Sequence, residues 1–273
     1  MAVPLGRNSG RLTAVRALHA VKGRREQGRF AFEGETLLRE AVSSGFPVEE
    51  IYATRETYDS VPVVRELETS GVPVFLVAGE SAAKLSTLTS GAGLVSVAAV
   101  GLRAPEAIIG SASFTLVLAD LNDPANAGTL LRSADAFCCD GVVCGDAGVD
   151  PFHPKVVRGS MGAIFRLPVA LADPQSLQRA ARAAGMRLVG LSTEGDDMDR
   201  QEWGRPVGLV VGNERHGLGR WAACCDGLLS IPMRKGVDSL SAGVAGSIAL
   251  FCAVGNELRA KVKTTGAKSR MVY

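Results

Sequence analysis

The chain has 273 residues, of which 47% are hydrophobic but only 5% aromatic, and 30 basic against 28 acidic side chains leave a net charge of +2. That length suffices for one large or two ordinary domains, with a core of Val, Leu, Ile and Ala that suits a buried parallel sheet. No run of 18 apolar residues occurs, no apolar signal core follows the first arginines, and six cysteines and three histidines show no metal-ligand spacing. These features argue against a membrane protein, a secreted disulfide scaffold and a structural metal, and make a reducing cytoplasm the expected setting.

In chain order, Leu12, Val15, Leu18 and Val21 predict one amphipathic helix. A short strand at 30–32 follows, then a helix over 35–43 that stops at Gly45. Strands at "VEEIYAT", "VPVFLVA" and "GLVSVAAV" alternate with helices at "VPVVRELETSG" and "ESAAKLSTL". The result is a small α/β domain, residues 1–103. The Pro, Gly and Ser of "GLRAPEAIIGSAS" mark a linker at 104–112, and a second domain spans 113–273. There, strands at "FTLVLAD", "GVVCGD", "LPVAL", "MRLVGLS", "PVGLVVGN" and 228–232 alternate with helices at "AGTLLRSADAF", "PKVVRGSMGAIF" and "PQSLQRAARAAG". Such alternation predicts a parallel sheet covered on both faces.

Charge is unevenly spread. Residues 1–30 hold seven Lys or Arg against Glu26 alone, and residues 256–273 hold five against one acid. Basic ends on a near-neutral body fit contact with a polyanion, most simply nucleic acid, and fit equally well ordinary solvated termini.

Ligands of open parallel sheets bind beyond the carboxyl ends of the strands. After "LVLAD" neither a dinucleotide glycine fingerprint nor a P-loop occurs. Instead Asn122, Asp123, Pro124, Asn126 and Gly128 precede or open a helix, as caps and turn formers do. Arg132 lies within two turns of that helix start, where the dipole and free N–H groups favour a phosphate; a surface ion pair is the alternative. After "VGLVVG", Glu214 stands directly off an apolar strand, and Gly212 permits close approach. In "IPMRKGVDSLSAGVAGSIALF", residues 231–251, Ser239 or Ser241 caps a helix whose small residues at 242, 243, 245, 246 and 247 admit a close neighbour. That neighbour is another helix, a ligand, or a chain passing through a narrow opening. "GSMG" at 159–162 is no nucleophile elbow, which disfavours hydrolase chemistry.

"LNDPANAGTLLRSADAF", "LVVGNERHGL" and "IPMRKGVDSLSAGVAGSIALF", in that order and near the C-terminus, resemble the three motifs of the SpoU/TrmH family. These are RNA ribose 2′-O-methyltransferases of the SPOUT superfamily, and the likeness covers about residues 113–255. "RFAFEGETLLREAV" is similar to the start of the family's substrate-binding domain, an L30e-like ribosomal-protein fold that grips RNA. The resemblance implies an α/β fold whose C-terminal SPOUT domain ties a deep trefoil knot, binds S-adenosylmethionine in the knotted loops and forms a homodimer, with each active site completed by the partner subunit. It assigns Asn126 to organising the site, Arg132 to transfer, and Glu214 and Ser239 to the second and third motifs. Leu191, Gly212, Ile231 and Leu240 stand where the family contacts its cofactor, and Arg158 where some relatives face RNA. Arg16, Arg24 and Arg25 of the basic N-terminal stretch are the other RNA candidates. The family's usual Ser-Leu-Asn reads Ser239-Leu240-Ser241 here. If that asparagine only caps the helix, serine replaces it at little cost; if it aligns catalytic groups, activity falls. The activity implied is ribose 2′-O-methylation, first of large-subunit (23S) ribosomal RNA and second of transfer RNA. The rival reading is a non-catalytic RNA-binding or ribosome-assembly protein.

Overall fold

Short strands and helices alternate along the chain. In order they are β1 (Val3–Pro4), α1 (Gly10–Ala17), α2 (Val21–Gln27), β2 (Arg29–Glu33), α3 (Glu35–Ser43), β3 (Glu50–Ala53), α4 (Arg55–Ser60), α5 (Pro62–Thr69), β4 (Val74–Leu76), α6 (Gly79–Leu85) and β5 (Leu94–Ala99). Then come β6 (Leu102–Arg103), α7 (Pro105–Ile109), β7 (Phe114–Leu118), α8 (Pro124–Ala136), β8 (Gly141–Gly145), α9 (Pro154–Gly159), α10 (Ala163–Arg166) and β9 (Val169–Ala172). The last are α11 (Pro174–Ala183), β10 (Arg187–Asp197), β11 (Val207–Val211), a 3-10 turn (Gly219–Cys224), β12 (Gly227–Ser230) and α12 (Ala242–Thr265). This computed structural model describes residues 2–88, 91, 93–198, 203–234 and 239–265, with 255–265 as backbone alone. The basic C-terminal stretch at 256–273 therefore lies outside the described side chains.

Two units emerge, residues 1–101 with 150–166, and residues 102–149 with 167–273. The first has a mixed sheet of order β1-β4-β3-β5-β2, in which β5 runs antiparallel to both β2 and β3. Alternation along β2 sorts its side chains. Ala31 faces the layer of Leu12, Val15 and Leu18, while Phe30 and Phe32 face an aromatic cluster with Phe46, Phe152 and Phe165. The Phe30–Phe152 and Phe46–Phe165 ring centroids lie 4.7 and 5.2 Å apart. Those rings explain why 150–166, expected in the second domain, packs with the first unit.

Three further expectations change. The single helix over Leu12 to Val21 is two helices: α1 ends at Ala17 with Leu18 as its C-cap, and Val21 is exposed at the start of α2. The helix predicted at 154–165 breaks into α9 and α10 because Met161 and Gly162 adopt positive φ, 48° and 91°. The supposed linker at 104–112 carries α7, and Ile108 and Ile109 bury in the second core.

The second sheet has the order β12-β10-β11-β7-β8-β9-β6, and every pairing in it is parallel. All five residues of β7, of β8 and of β11 are buried, as covering on both faces requires. Val117, Val143 and Val210 pack with Leu177, Leu188 and Trp221 on one face. On the other, α12 lies against α8 and β11. Among the described residues no helix is long and apolar enough to cross a membrane, and no group of three or more His, Cys, Asp or Glu is arranged to hold a metal ion.

Candidate active site

The strand order sets the carboxyl ends of β12, β10, β11 and β7 side by side. Loops leaving those ends are neighbours in space, however far apart in sequence. The loop after β7 enters α8 through Asp123, whose carboxylate accepts from Ala125 N at 3.0 Å, with Pro124 in the first turn. Asn126 follows within that turn, and its amide is used at both ends. Nδ2 donates to Glu214 Oε1 at 2.5 Å, and Oδ1 accepts from Gly243 N at 3.2 Å. These partners lie 88 and 117 residues further along the chain. One side chain thus ties together all three predicted loops.

Local chemistry presents each partner. After β11 the chain makes a tight turn in which Asn213 and Gly217 exchange backbone hydrogen bonds of 2.8 and 2.9 Å. A Cβ on Gly212 would fall 2.3 Å from Gly217 C, so glycine is what lets the turn fold back and aim Glu214 at Asn126. In the third loop, Ser241 Oγ accepts from Val244 N at 3.4 Å, and its carbonyl accepts from Ala245 N at 2.9 Å. Ser241 is therefore the N-cap of α12, and Ser239 is exposed two residues earlier.

The small residues of α12 answer to α8. A Cβ on Gly243 would lie 2.7 Å from Asn126 Oδ1; one on Gly246 would lie 2.4 Å from Leu130 Cδ2 and 3.1 Å from Val211 Cγ2. Ser247 Oγ hydrogen-bonds Ser133 Oγ at 2.7 Å. Of the three neighbours the sequence allows, these contacts identify another helix.

Arg132 is exposed on α8, with no hydrogen-bond or ion-pair partner among the described residues. Leu191, Gly212, Ile231 and Leu240 are all half-buried. Leu191 pairs with Leu229 just before the β10–β12 register shifts, while Gly212 and Ile231 lie past the last ladder pairs of their strands. Their peptide groups are therefore outside the sheet's own hydrogen bonding.

The RNA candidates divide. Arg16 and Arg25 are exposed on α1 and α2. Arg158, half-buried on α9, donates to Thr87 Oγ1 at 3.4 Å. Arg24 is a correction. It is buried, donating to Asp150 Oδ2 at 2.8 Å and to the carbonyls of Leu18 and His19 at 2.8 and 3.0 Å. A guanidinium so consumed has no face left for a phosphate.

Sequence reasoning missed Asp120, although an acid two residues beyond a fully buried strand was a visible signal. It sits in the left-handed region (φ 51°). Its carboxylate accepts from Trp221 Nε1 at 2.8 Å and from Arg220 Nε and Nη2 at 2.7 and 3.1 Å. Its carbonyl accepts from Asn213 Nδ2 at 3.1 Å. Burial works against the charge, but the Arg220 and Trp221 hydrogen bonds outweigh it and hold the carboxyl below the usual carboxylate range. Arg220 is raised in turn by Asp120 and Asp146.

A parallel α/β domain with a polar site where its strand-end loops converge, joined to a separate small unit, defines a class that comparison with known proteins specifies. The model of the SpoU rRNA Methylase family matches residues 113–251, and that of the MRM3-like substrate binding domain matches residues 10–96. The chain belongs to the SpoU rRNA methylase family. It is 31% identical over 238 residues to the 23S rRNA (guanosine(2553)-2′-O)-methyltransferase RlmP of Bacillus subtilis, covering 86% of this chain and 92% of that one. An AdoMet-bound rRNA methyltransferase from Sinorhizobium meliloti superposes with a TM-score of 0.84 at 26% identity, covering 93% of this chain and 98% of the other. The SpoU methyltransferase AviRb of Streptomyces viridochromogenes, in complex with AdoMet, gives 0.83 at 27% identity, with 92% and 99% covered.

Proposed function

We propose that the chain is an S-adenosylmethionine-dependent methyltransferase that modifies a ribose 2′-hydroxyl of 23S ribosomal RNA. The observation that carries this reading is the Asn126 amide, which joins the three loops characteristic of the family at one point. The named 23S rRNA activity of the similar protein from Bacillus subtilis supports large-subunit RNA over transfer RNA. The capping role of Ser241 weighs against a degenerate site, because serine does there what a capping asparagine would do.

The chemistry of the residues fits the cofactor. Leu191, Ile231 and Leu240 offer apolar surface for an adenine, and the peptide groups past β11 and β12 offer hydrogen bonds. When bound, S-adenosylmethionine supplies a methyl carbon carried on a positively charged sulfonium. Asn126 fixes Glu214 and the start of α12, so that the loops holding both reactants share one frame; such positioning is a large part of any transfer between two bound groups. Arg132 holds the phosphate beside the target ribose and polarises its hydroxyl. A guanidinium has five donors and no acceptor, so the proton passes to a water or a phosphate oxygen, not to Arg132. Ser239, exposed before α12, completes the rim.

The first unit serves as the RNA grip, with Arg16 and Arg25 on exposed helix faces and Arg158 as a weaker contact. The strand order, in which β10 lies between β11 and β12 while α12 returns onto α8, supports the knotted topology. Val244 and Phe251 are 47% and 45% exposed on α12, one face of which is already used on α8. A second copy of the chain covers that apolar stripe and brings the partner's loops to the site. That none of the six cysteines forms a disulfide fits a cytoplasmic enzyme.

The test is transfer of labelled methyl from S-adenosylmethionine to 23S rRNA, free or in the large subunit. A 2′-O-methyl removes the hydroxyl that drives alkaline cleavage, so the modified nucleotide appears as a gap in an alkaline ladder. Label found on a base, or no transfer to ribosomal or transfer RNA together with no calorimetric binding of the cofactor, would sink the reading.

A further inference from the structure

Besides the Asn126 junction, the second unit holds another polar hub, centred on Asp120. Asp120 joins four segments. Its carboxylate takes both N–H arms of Arg220 and the indole N–H of Trp221, from the 3-10 turn that leads into β12. Its carbonyl takes the amide of Asn213, the residue beside Glu214. Arg220 also reaches Asp146, in the loop after β8. The mount is built for this carboxylate. A Cβ on Gly145 would lie 2.2 Å from Asp120 Oδ1 and 3.0 Å from Trp221 Cζ2, and one on Gly148 would lie 3.1 Å from Asp120 Cα. Two glycines therefore clear space for it, and the chain turns left-handed to place it there, which costs a non-glycine residue about 1 kcal/mol or more.

We propose that Asp120 is a positioning residue for methyl transfer. It sets the distance between the loop that leads into α8, which carries Asn126 and Arg132, and the loop that carries Glu214, and it ties both to the segment entering the third loop. Asn126 alone can link these loops but cannot fix them, because both of its partners lie at loop or helix starts. Asp120 supplies a second attachment, through Asn213 beside Glu214 and through Arg220 and Trp221, and two attachments hold a frame where one is a pivot. The inference deepens the methyltransferase reading and rests on it.

The decisive variant is Asp120→Asn. An aspartate accepts three side-chain N–H bonds here on two oxygens, whereas an asparagine has a single acceptor oxygen and turns its NH2 on a donor. We expect kcat for 23S rRNA methylation to fall about 100-fold, the loss that a displacement of roughly 1 Å costs a positioned reaction. KM for S-adenosylmethionine should change little, and the thermal midpoint should stay close to that of the wild type. Trp221→Phe, which removes one of the three bonds, should give a smaller fall of the same kind. Hydrogen exchange of the amides in residues 119–127 supplies a readout without turnover: it should quicken in Asp120→Asn while exchange in β8 and β11 does not. Unchanged kcat in both variants, or a loss of activity that tracks the thermal midpoint, overturns the proposal. If the wild type methylates no RNA, the functional reading fails instead, and the exchange arm still decides whether Asp120 holds the loop.

Discussion

The two units use arginine in opposite ways. In the first, Arg24 is buried and three of its N–H groups are committed: Asp150 takes one hydrogen bond, and the carbonyls of Leu18 and His19 take two more where α1 gives way to α2. In the second, Arg132 stands exposed on α8, without a partner among the described residues, two turns from an anchored helix start. The first arginine supplies donors to two turn carbonyls between α1 and α2. The second is a cation still available to a ligand. A census of basic residues treats the two alike, and the difference appears only when the donors are accounted for.

Removing each arginine separates the two uses. Arg24→Ala leaves Asp150 without its cation and two turn carbonyls without donors, and should cost about 3–5 kcal/mol of unfolding free energy, read from urea denaturation. The folded fraction should keep its RNA affinity. A variant of normal stability that binds RNA weakly would break the contrast and restore Arg24 as an RNA contact. Arg132→Ala should do the reverse. Methyl transfer should drop about 10²–10³-fold, the usual loss when a donor at a reacting centre is removed, while stability moves within about 0.5 kcal/mol. Arg132→Lys sharpens the point, since it keeps the charge and loses the planar fork. Near-wild-type turnover in that variant would rule out bidentate recognition.

The glycines of α12 extend the comparison to packing. Gly246→Ala gains about 1 kcal/mol of helix propensity, but its methyl must displace the buried Leu130 and Val211, an overpacking that costs about 1–3 kcal/mol. A modest net loss of stability with kcat retained is the expected result. Gly243→Ala presses instead on the Asn126 amide, so kcat should suffer more than the melting temperature. Equal effects from the two would mean that Asn126 is only a packing contact.

Much of this was legible before any coordinates. β8, β9 and β11 are almost entirely Val, Leu, Ala and Gly, and such runs predict a sheet buried on both sides whatever its connections. Asn126, Glu214 and the small residues near 243 were visible as loop residues, but composition left the neighbour of α12 open. Only the strand order, with β11 next to β7 and β12 beyond β10, turns three separate loops into one site. Two kinds of feature stayed hidden. One is the sharing of 150–166 with the first unit, which depends on where Phe152 and Phe165 find partners. The other is the Asp120 mount, whose acceptors and donors come from positions about a hundred residues apart.

Ser241 gives the smallest effect and the finest test. Its Oγ caps α12, the same task an asparagine performs from that position. Ser241→Ala should therefore cost about 1 kcal/mol of stability, with a matching loosening of the helix start that carries Gly243. Ser241→Asn, which restores the residue usual in the family, should change stability by only a few tenths of a kcal/mol, since serine and asparagine rank alike as N-caps. If capping is the whole role, kcat should be flat between serine and asparagine and should fall only in alanine, alongside stability. A rise in kcat on going to asparagine, at constant stability, would show that the amide reaches a reactant. Ser241 would then belong with Arg132, among the groups that act on a ligand, and no longer with Arg24.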